Sequence, residues 1–175
     1  MGIDEISGWF RGRIPDEWFT GAPTVEADRE EILVVGTIPD VAPAEGDSEQ
    51  ALAAAREGRI RQFREDTRAA RVRIAQEAEQ RYRRKVSWGA TCGEVTELFT
   101  TLSVPVMTRL RMRERSVLDT LVDAGVARSR SHALAWCVRL VAEHEGEWID
   151  RLREALTGVQ EIRAQGPSTA GTGSV

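Results

Sequence analysis

The sequence predicts an α+β fold, mostly helical: an N-terminal β-hairpin, a long amphipathic helix, and a C-terminal strand–helix–helix unit with an extended last helix. Three observations predict it. Residues Glu31 to Ile38 are rich in β-branched side chains and end at Pro39, the pattern of a strand. Residues 48–86 carry apolar side chains three and four apart, the helical period. Residues 104–144 pass from an alternation of period two to two helical stripes separated by a glycine, which reads as strand, helix, turn, helix.

Residues 1–47 read as an aromatic arm, a hairpin and an acidic linker. The arm holds Gly8-Trp9-Phe10 and Glu17-Trp18-Phe19 with Pro15 between them; such a cluster packs on its own domain or on a partner. Thr24 to Ala27 and Glu31 to Ile38 are the two strands, with Asp28-Arg29-Glu30 turning the chain. A lone hairpin is marginal in water, so this one must pack on something. Pro39, Pro43 and Gly46 among acidic residues make the linker.

Residues 48–86 read as one long charged helix capped by Ser48. Ile60, Phe63, Thr67, Ala70 and Ile74 form a narrow apolar seam, suited to a helix-on-helix contact or to one helix lying on its own domain. Residues 87–103 read as a connector, broken by Gly89 and Gly93, with a helical turn from Glu94 to Phe99. Residues 104–165 carry the C-terminal unit. Residues 166–175 are small and polar, a composition that favours disorder.

Charge is segregated. Residues 1–55, 56–139 and 140–175 carry net charges of −9, +8 and −3, which the overall −4 conceals. The basic middle must therefore be judged apart from the acidic flanks. No stretch approaches the roughly 20 apolar residues that span a bilayer, and Met1-Gly2-Ile3-Asp4-Glu5 lacks the basic start of a secretory signal. Cys92 and Cys137 are too few for a disulfide framework and read as reduced thiols. Membrane and secreted classes are thereby disfavoured, and the expected location is cytoplasmic, on the nucleoid.

No reaction class is legible. His132 and His144 do not stand at metal-ligand spacing with each other or with the cysteines, and no phosphate-cradling glycine loop, nucleophile elbow or carboxylate pair stands out. The expectation is a non-enzyme without metal or cofactor.

The informative stretch begins Val104-Pro105-Val106-Met107-Thr108-Arg109-Leu110-Arg111-Met112. Val106, Thr108, Leu110 and Met112 would line one face of a strand, with Met107, Arg109 and Arg111 on the other. Leu118, Leu121 and Val122 give a helical stripe that Gly125 stops. Arg128-Ser129-Arg130-Ser131-His132-Ala133-Leu134 opens a second helix capped by Ser129 or Ser131, with Leu134, Cys137, Val138 and Val141 as its stripe. Trp148, Ile149, Leu152, Leu156, Val159 and Ile162 continue a helical spacing, with Gly146 as a place to bend.

The pairing of Leu118-Asp119-Thr120-Leu121-Val122-Asp123-Ala124-Gly125 with Arg128-Ser129-Arg130-Ser131 after a basic strand resembles the ribbon-helix-helix (MetJ/Arc/CopG-like) DNA-binding proteins over about a quarter of the chain. The resemblance implies a homodimer whose two strands pair into a ribbon in the major groove of double-stranded DNA. Met107, Arg109 and Arg111 would face the groove. Ser129, Arg130 and Ser131 would present a helix N-terminus to a phosphate. Arg113-Glu114-Arg115 departs from the family, which starts its first helix with apolar residues. An alternative register moves the strand to Thr101–Val106 and makes Met107–Ala124 one helix.

Two further readings stay open. One is a protein–protein adaptor that uses the same fold only to dimerise; the other is an RNA-binding factor, which lacks the stacking aromatics such proteins use. The N-terminal arm is a candidate partner-binding element. Alternatively, the acidic N-terminal region folds back on the basic middle and weakens DNA binding, so that deleting residues 1–46 would tighten it.

Overall fold

The computed structural model describes residues 2–44, 46 and 48–165; the expected disordered tail lies outside them. The chain divides into two compact units, residues 1–106 and 107–175. The fold is α+β, with six helices and a four-stranded sheet among the described residues.

The N-terminal unit is a sheet covered on one face by helices. Helix α1 spans Ile3–Arg13, strands β1 and β2 span Thr24–Ala27 and Glu31–Thr37, helices α2 and α3 span Glu49–Asp66 and Arg68–Tyr82, and strands β3 and β4 span Lys85–Cys92 and Val95–Leu98. The sheet order is β1-β2-β3-β4. The expected hairpin forms, with Thr24 opposite Val35 and Ala27 opposite Ile32. The Asp28 carboxylate closes its turn by accepting from the Glu30 and Glu31 N–H groups.

Strands β2 and β3 pair in parallel, Glu31 with Lys85 through to Thr37 with Thr91. A parallel pair requires a long crossover, and α2 with α3 supply it. Ile32 and Val34 of β2 and Trp88, Ala90 and Cys92 of β3 are all buried, on the face that receives Ile6 and Phe10 of α1, Ile60 of α2, and Ile74 and Ala78 of α3.

Of the two outcomes open to the aromatic arm, packing on its own domain is the one found: the arm is a helix with its following loop, Phe10 and Trp18 are buried, and Trp9 and Phe19 pack against the same core. Other expectations need correction here. The connector at 87–103 is the hairpin β3–β4. Gly89 does not break a helix; it sits in β3 under Leu98 and Val35, where a Cβ would lie 2.8 Å from the Leu98 side chain. Gly93 (φ +56) opens the two-residue turn between Cys92 and Val95, where glycine accepts the positive φ at no steric cost. Glu94 to Phe99 accordingly holds a strand and not a helical turn.

The long helix is also two helices, and it ends at Tyr82. Thr67 explains the division. Its hydroxyl donates to the Phe63 carbonyl at 2.6 Å, a local bond that competes with the helical ladder and bends it. Arg71 fills the bend, donating from Nε to Thr67 Oγ1 at 2.9 Å and from Nη2 to the Arg64 carbonyl at 2.6 Å. The seam itself behaves as the sequence suggests for a helix on its own domain: Ile60, Thr67 and Ile74 are buried and Phe63 and Ala70 pack at the edge of the core. Arg83 (φ 57) ends α3 in the left-handed region and turns the chain into β3.

The C-terminal unit is helical: α4 Met112–Asp123, α5 Arg130–His144 and α6 Gly146–Gln165. Its buried cluster is Leu118, Ala127 and Ala133, with Leu110, Leu121, Val122, Leu134 and Cys137 packed around it. Gly146 does interrupt the expected continuous helix, which parts at Glu145. Among the described residues no helix is long and apolar enough to cross a membrane.

Candidate nucleic-acid interface

The candidate interface joins an extended segment to the mouth of a helix pair. Residues 104–111 are outside any helix or strand, and all but Leu110 are exposed, Val106 by 86% and Met107 by 95%. The strand proposed at 104–112 therefore does not form within the chain, and Met112 opens α4 instead of closing a strand. The alternative register is overturned as well: Arg109 and Arg111 precede α4, so no helix runs from Met107, and Thr101–Val106 is not a strand.

Alternation is visible at its C-terminal end. Leu110 packs on the helix-pair cluster while Arg109 and Arg111 stand in solvent. Two contacts fix the segment where it meets α4. The Arg115 guanidinium donates to the Leu110 carbonyl at 2.8 Å, and the Glu114 carboxylate accepts from the Arg111 N–H. Arg113-Glu114-Arg115, the departure from the family pattern, is thus the first turn of α4. Its Glu114 satisfies one of the N–H groups left open at that helix start, and its acidic charge suits the positive end of the helix dipole.

Between the helices, Gly125 (φ +75) accepts the left-handed conformation. Its N–H donates to the Val122 carbonyl and the Val126 N–H to the Leu121 carbonyl, both at 3.0 Å, the bond pair of a Schellman ending. Ser129 is the cap of α5, its hydroxyl accepting from the His132 N–H at 3.2 Å. Ser131 is exposed in the first turn.

Arg130 is placed otherwise than expected. Its guanidinium grips Asp119 of α4 with two bonds, at 2.6 and 2.7 Å. That pairing lowers the Asp119 pKa and raises that of Arg130. Arg130 thus ties α5 to α4 and is not a free phosphate ligand. Neither Arg115 nor Asp119 stands out in the sequence as a partner; an acid eleven residues before an arginine gives no local periodic signal across a turn.

The structure therefore brings Ser129 and Ser131 together at the start of α5, and leaves Met107, Arg109 and Arg111 on one exposed extended segment. Among the described residues no group of three or more His, Cys, Asp or Glu side chains is placed to hold a metal ion.

Comparison with known proteins divides the chain in the same place as its fold. Residues 4–98 match the model of the Rv1265-like protein N-terminal domain, and residues 111–163 match that of the Mb1296 C-terminal domain. The chain is 57% identical over 159 residues to Mb1296 of Mycobacterium bovis and to Rv1265 of Mycobacterium tuberculosis, covering 91% of this chain and 69% of each relative. No solved structure matches it. The boundary between the two matched segments falls in the exposed stretch that precedes α4, and the chain belongs to the Rv1265-like family.

Proposed function

We propose that the protein is a homodimeric DNA-binding protein of ribbon-helix-helix type, a transcriptional regulator or nucleoid-associated factor. One observation carries the reading. An exposed, basic segment that joins no strand leads directly into a capped helix pair whose buried core, among the described residues, is three side chains. The backbone N–H and C=O groups that this segment turns to water are free to pair, and a second copy's segment offers them partners as an antiparallel strand. The same association would cover Val117 of α4 and Val138 and Val141 of α5, which are exposed in the single chain.

In that dimer Met107, Arg109 and Arg111 face the major groove. Arginine reads guanine with two hydrogen bonds, each such pair giving about 1–3 kcal/mol of discrimination. The first turn of α5, capped by Ser129 and bearing Ser131, offers free N–H groups and a positive dipole end to a phosphate. Arg130 supports that turn through Asp119.

Fluorescence anisotropy on mixed-sequence duplex DNA at low and moderate salt tests the reading. Wild type should bind, and salt should weaken it, because phosphate contacts release counterions. Arg109→Ala/Arg111→Ala should weaken binding tenfold or more, and each lost phosphate contact should flatten the salt dependence by about one unit of slope. No binding by wild type at either salt would sink the proposal.

The second reading, a protein–protein adaptor, is favoured by α6. Trp148, Leu152, Leu156, Val159 and Ile162 are exposed along it, a stripe at helical spacing that suits a partner helix. The idea that the acidic N-terminal region restrains DNA binding needs another test than deletion. Residues 1–46 include α1, β1 and β2, so removing them would remove half the sheet.

A further inference from the structure

The most buried arginine of the N-terminal unit has no acid beside it. Arg71 is 7% exposed. Its two hydrogen bonds go to neutral acceptors, Thr67 Oγ1 and the Arg64 carbonyl, which leaves its Nη1 group without an acceptor among the described residues. Elsewhere in this unit Arg13, Arg56 and Arg81 each meet a carboxylate, Glu77, Asp40 and Glu5. A buried charge is costly unless paired. Here the nearest charges make matters worse: burial first, then repulsion from Arg64 and Arg68, lower the Arg71 pKa to about 10.

These three arginines line one recess of about 370 Å³, with Trp88 and Phe99 among its walls. The Arg71 guanidinium lies over the Phe99 ring at 4.7 Å and that of Arg64 at 5.6 Å, which holds both at the recess. Arg64 and Arg68 form no ion pair among the described residues and are exposed at the rim. Glu65 is the single acid in the lining, and it pairs with none of the three.

We propose that this recess binds a phosphorylated small molecule, its phosphate held by Arg64, Arg68 and Arg71. The chemistry follows from the donors. A planar guanidinium presents N–H groups in a fork that matches phosphate oxygens. Three of them, one shielded from water, supply the charge that a dianionic group needs, and the anion supplies the counter-charge that Arg71 lacks. The recess is set entirely within the N-terminal unit and involves none of the residues of the candidate DNA interface, so the two proposals stand or fall separately.

Isothermal titration calorimetry on the full chain, with pyrophosphate and with ADP as separate probes, tests it. The expected result is saturable one-to-one binding that weakens tenfold or more in Arg64→Ala/Arg68→Ala, two exposed positions whose loss leaves the core intact by circular dichroism. Arg83→Ala, an exposed arginine that is not among the lining, should keep the wild-type affinity. Equal affinity for both probes would mark the phosphate alone as the recognised group; tighter ADP would mark a nucleotide-like ligand. No saturable binding of either probe, or equal affinity in wild type and the double variant, would overturn the proposal.

Discussion

Among the described residues, fifteen buried side chains of the N-terminal unit form one cluster that spans three helices and the sheet; in the C-terminal unit the buried cluster is Leu118, Ala127 and Ala133. Both have competent local structure, with side-chain caps at Ser48 and Ser129, so the difference does not lie in how well each helix is specified. It lies in burial. A large apolar side chain taken fully out of water contributes roughly 1.5–3 kcal/mol, and ordering each residue costs backbone entropy of about 1–2 kcal/mol. The first unit has the means to offset that cost within one chain. The second, with alanine at two of the three positions buried among the described residues, has much less to set against it, and in the proposed dimer its exposed valines would add to that burial.

The largest effect should come from breaking the richer core. Phe10 is fully buried and meets Trp9 and Trp88 edge to face, with ring centroids 4.9 and 5.9 Å apart. Phe10→Ala should destabilise the N-terminal unit by about 3–5 kcal/mol, the usual cost of emptying such a site. Urea unfolding followed by tryptophan fluorescence would measure it. A loss under about 1 kcal/mol would mean that the helical layer can collapse onto the sheet without its central ring, against the close packing expected of a core.

The comparison sharpens further in the C-terminal unit. Val138 is 63% exposed on α5, so Val138→Arg removes little from the single chain. In a dimer that buries this face it would place a charge at the contact, and burying an unpaired charge is costly. Sedimentation should show wild type as a dimer and Val138→Arg as a monomer, with DNA affinity lost alongside and the N-terminal unit's unfolding unchanged. A variant that stays dimeric would show that the subunits meet elsewhere, with α6 the next face to change.

The sequence made some of this legible and hid the rest for physical reasons. The hairpin, the cap at Ser129, the glycine stop at Gly125 and the break at Gly146 are local signals, and each appears where its residues stand. Strand β3 was hidden because its burial is nearly continuous from Ser87 to Ala90, so its residues do not alternate in the way a strand with one wet face does, and Gly89 within it, with Gly93 just after it, reads as a breaker. The division at Thr67 was hidden because a threonine in a helical seam looks like a weak apolar residue until its hydroxyl is seen on the Phe63 carbonyl. At the candidate interface, the exposed basic segment was legible from Arg109 and Arg111. The pairing of Arg130 with Asp119 was not, because it depends on the angle at which two helices meet. Arg71 was one arginine among many in the sequence, and only tertiary packing distinguishes it.

The smallest expected effect lies at a tie within the N-terminal unit. Asp40, just after β2, accepts two hydrogen bonds from Arg56 of α2, at 2.9 and 2.8 Å. That pairing, with help from the Val41 N–H and the Cys92 thiol, brings its pKa down to about 2 from 3.8. Arg56 in turn lies across Gly93, where a Cβ would come within 2.3 Å of the guanidinium, so the tie also crosses the β3–β4 turn. Because the folded value lies below the unfolded one, the contribution is complete above the unfolded pKa and is lost as pH falls through the folded one. Both partners reach solvent, so the effect should be modest. The thermal midpoint of wild type should therefore exceed that of Asp40→Asn by a constant margin from neutral pH to about pH 5, and the margin should shrink as the pH falls below about 4 and vanish as it passes below about 2. A margin independent of pH over that range would mean that the asparagine disturbs packing at the turn and that the ionised carboxylate contributes nothing of its own.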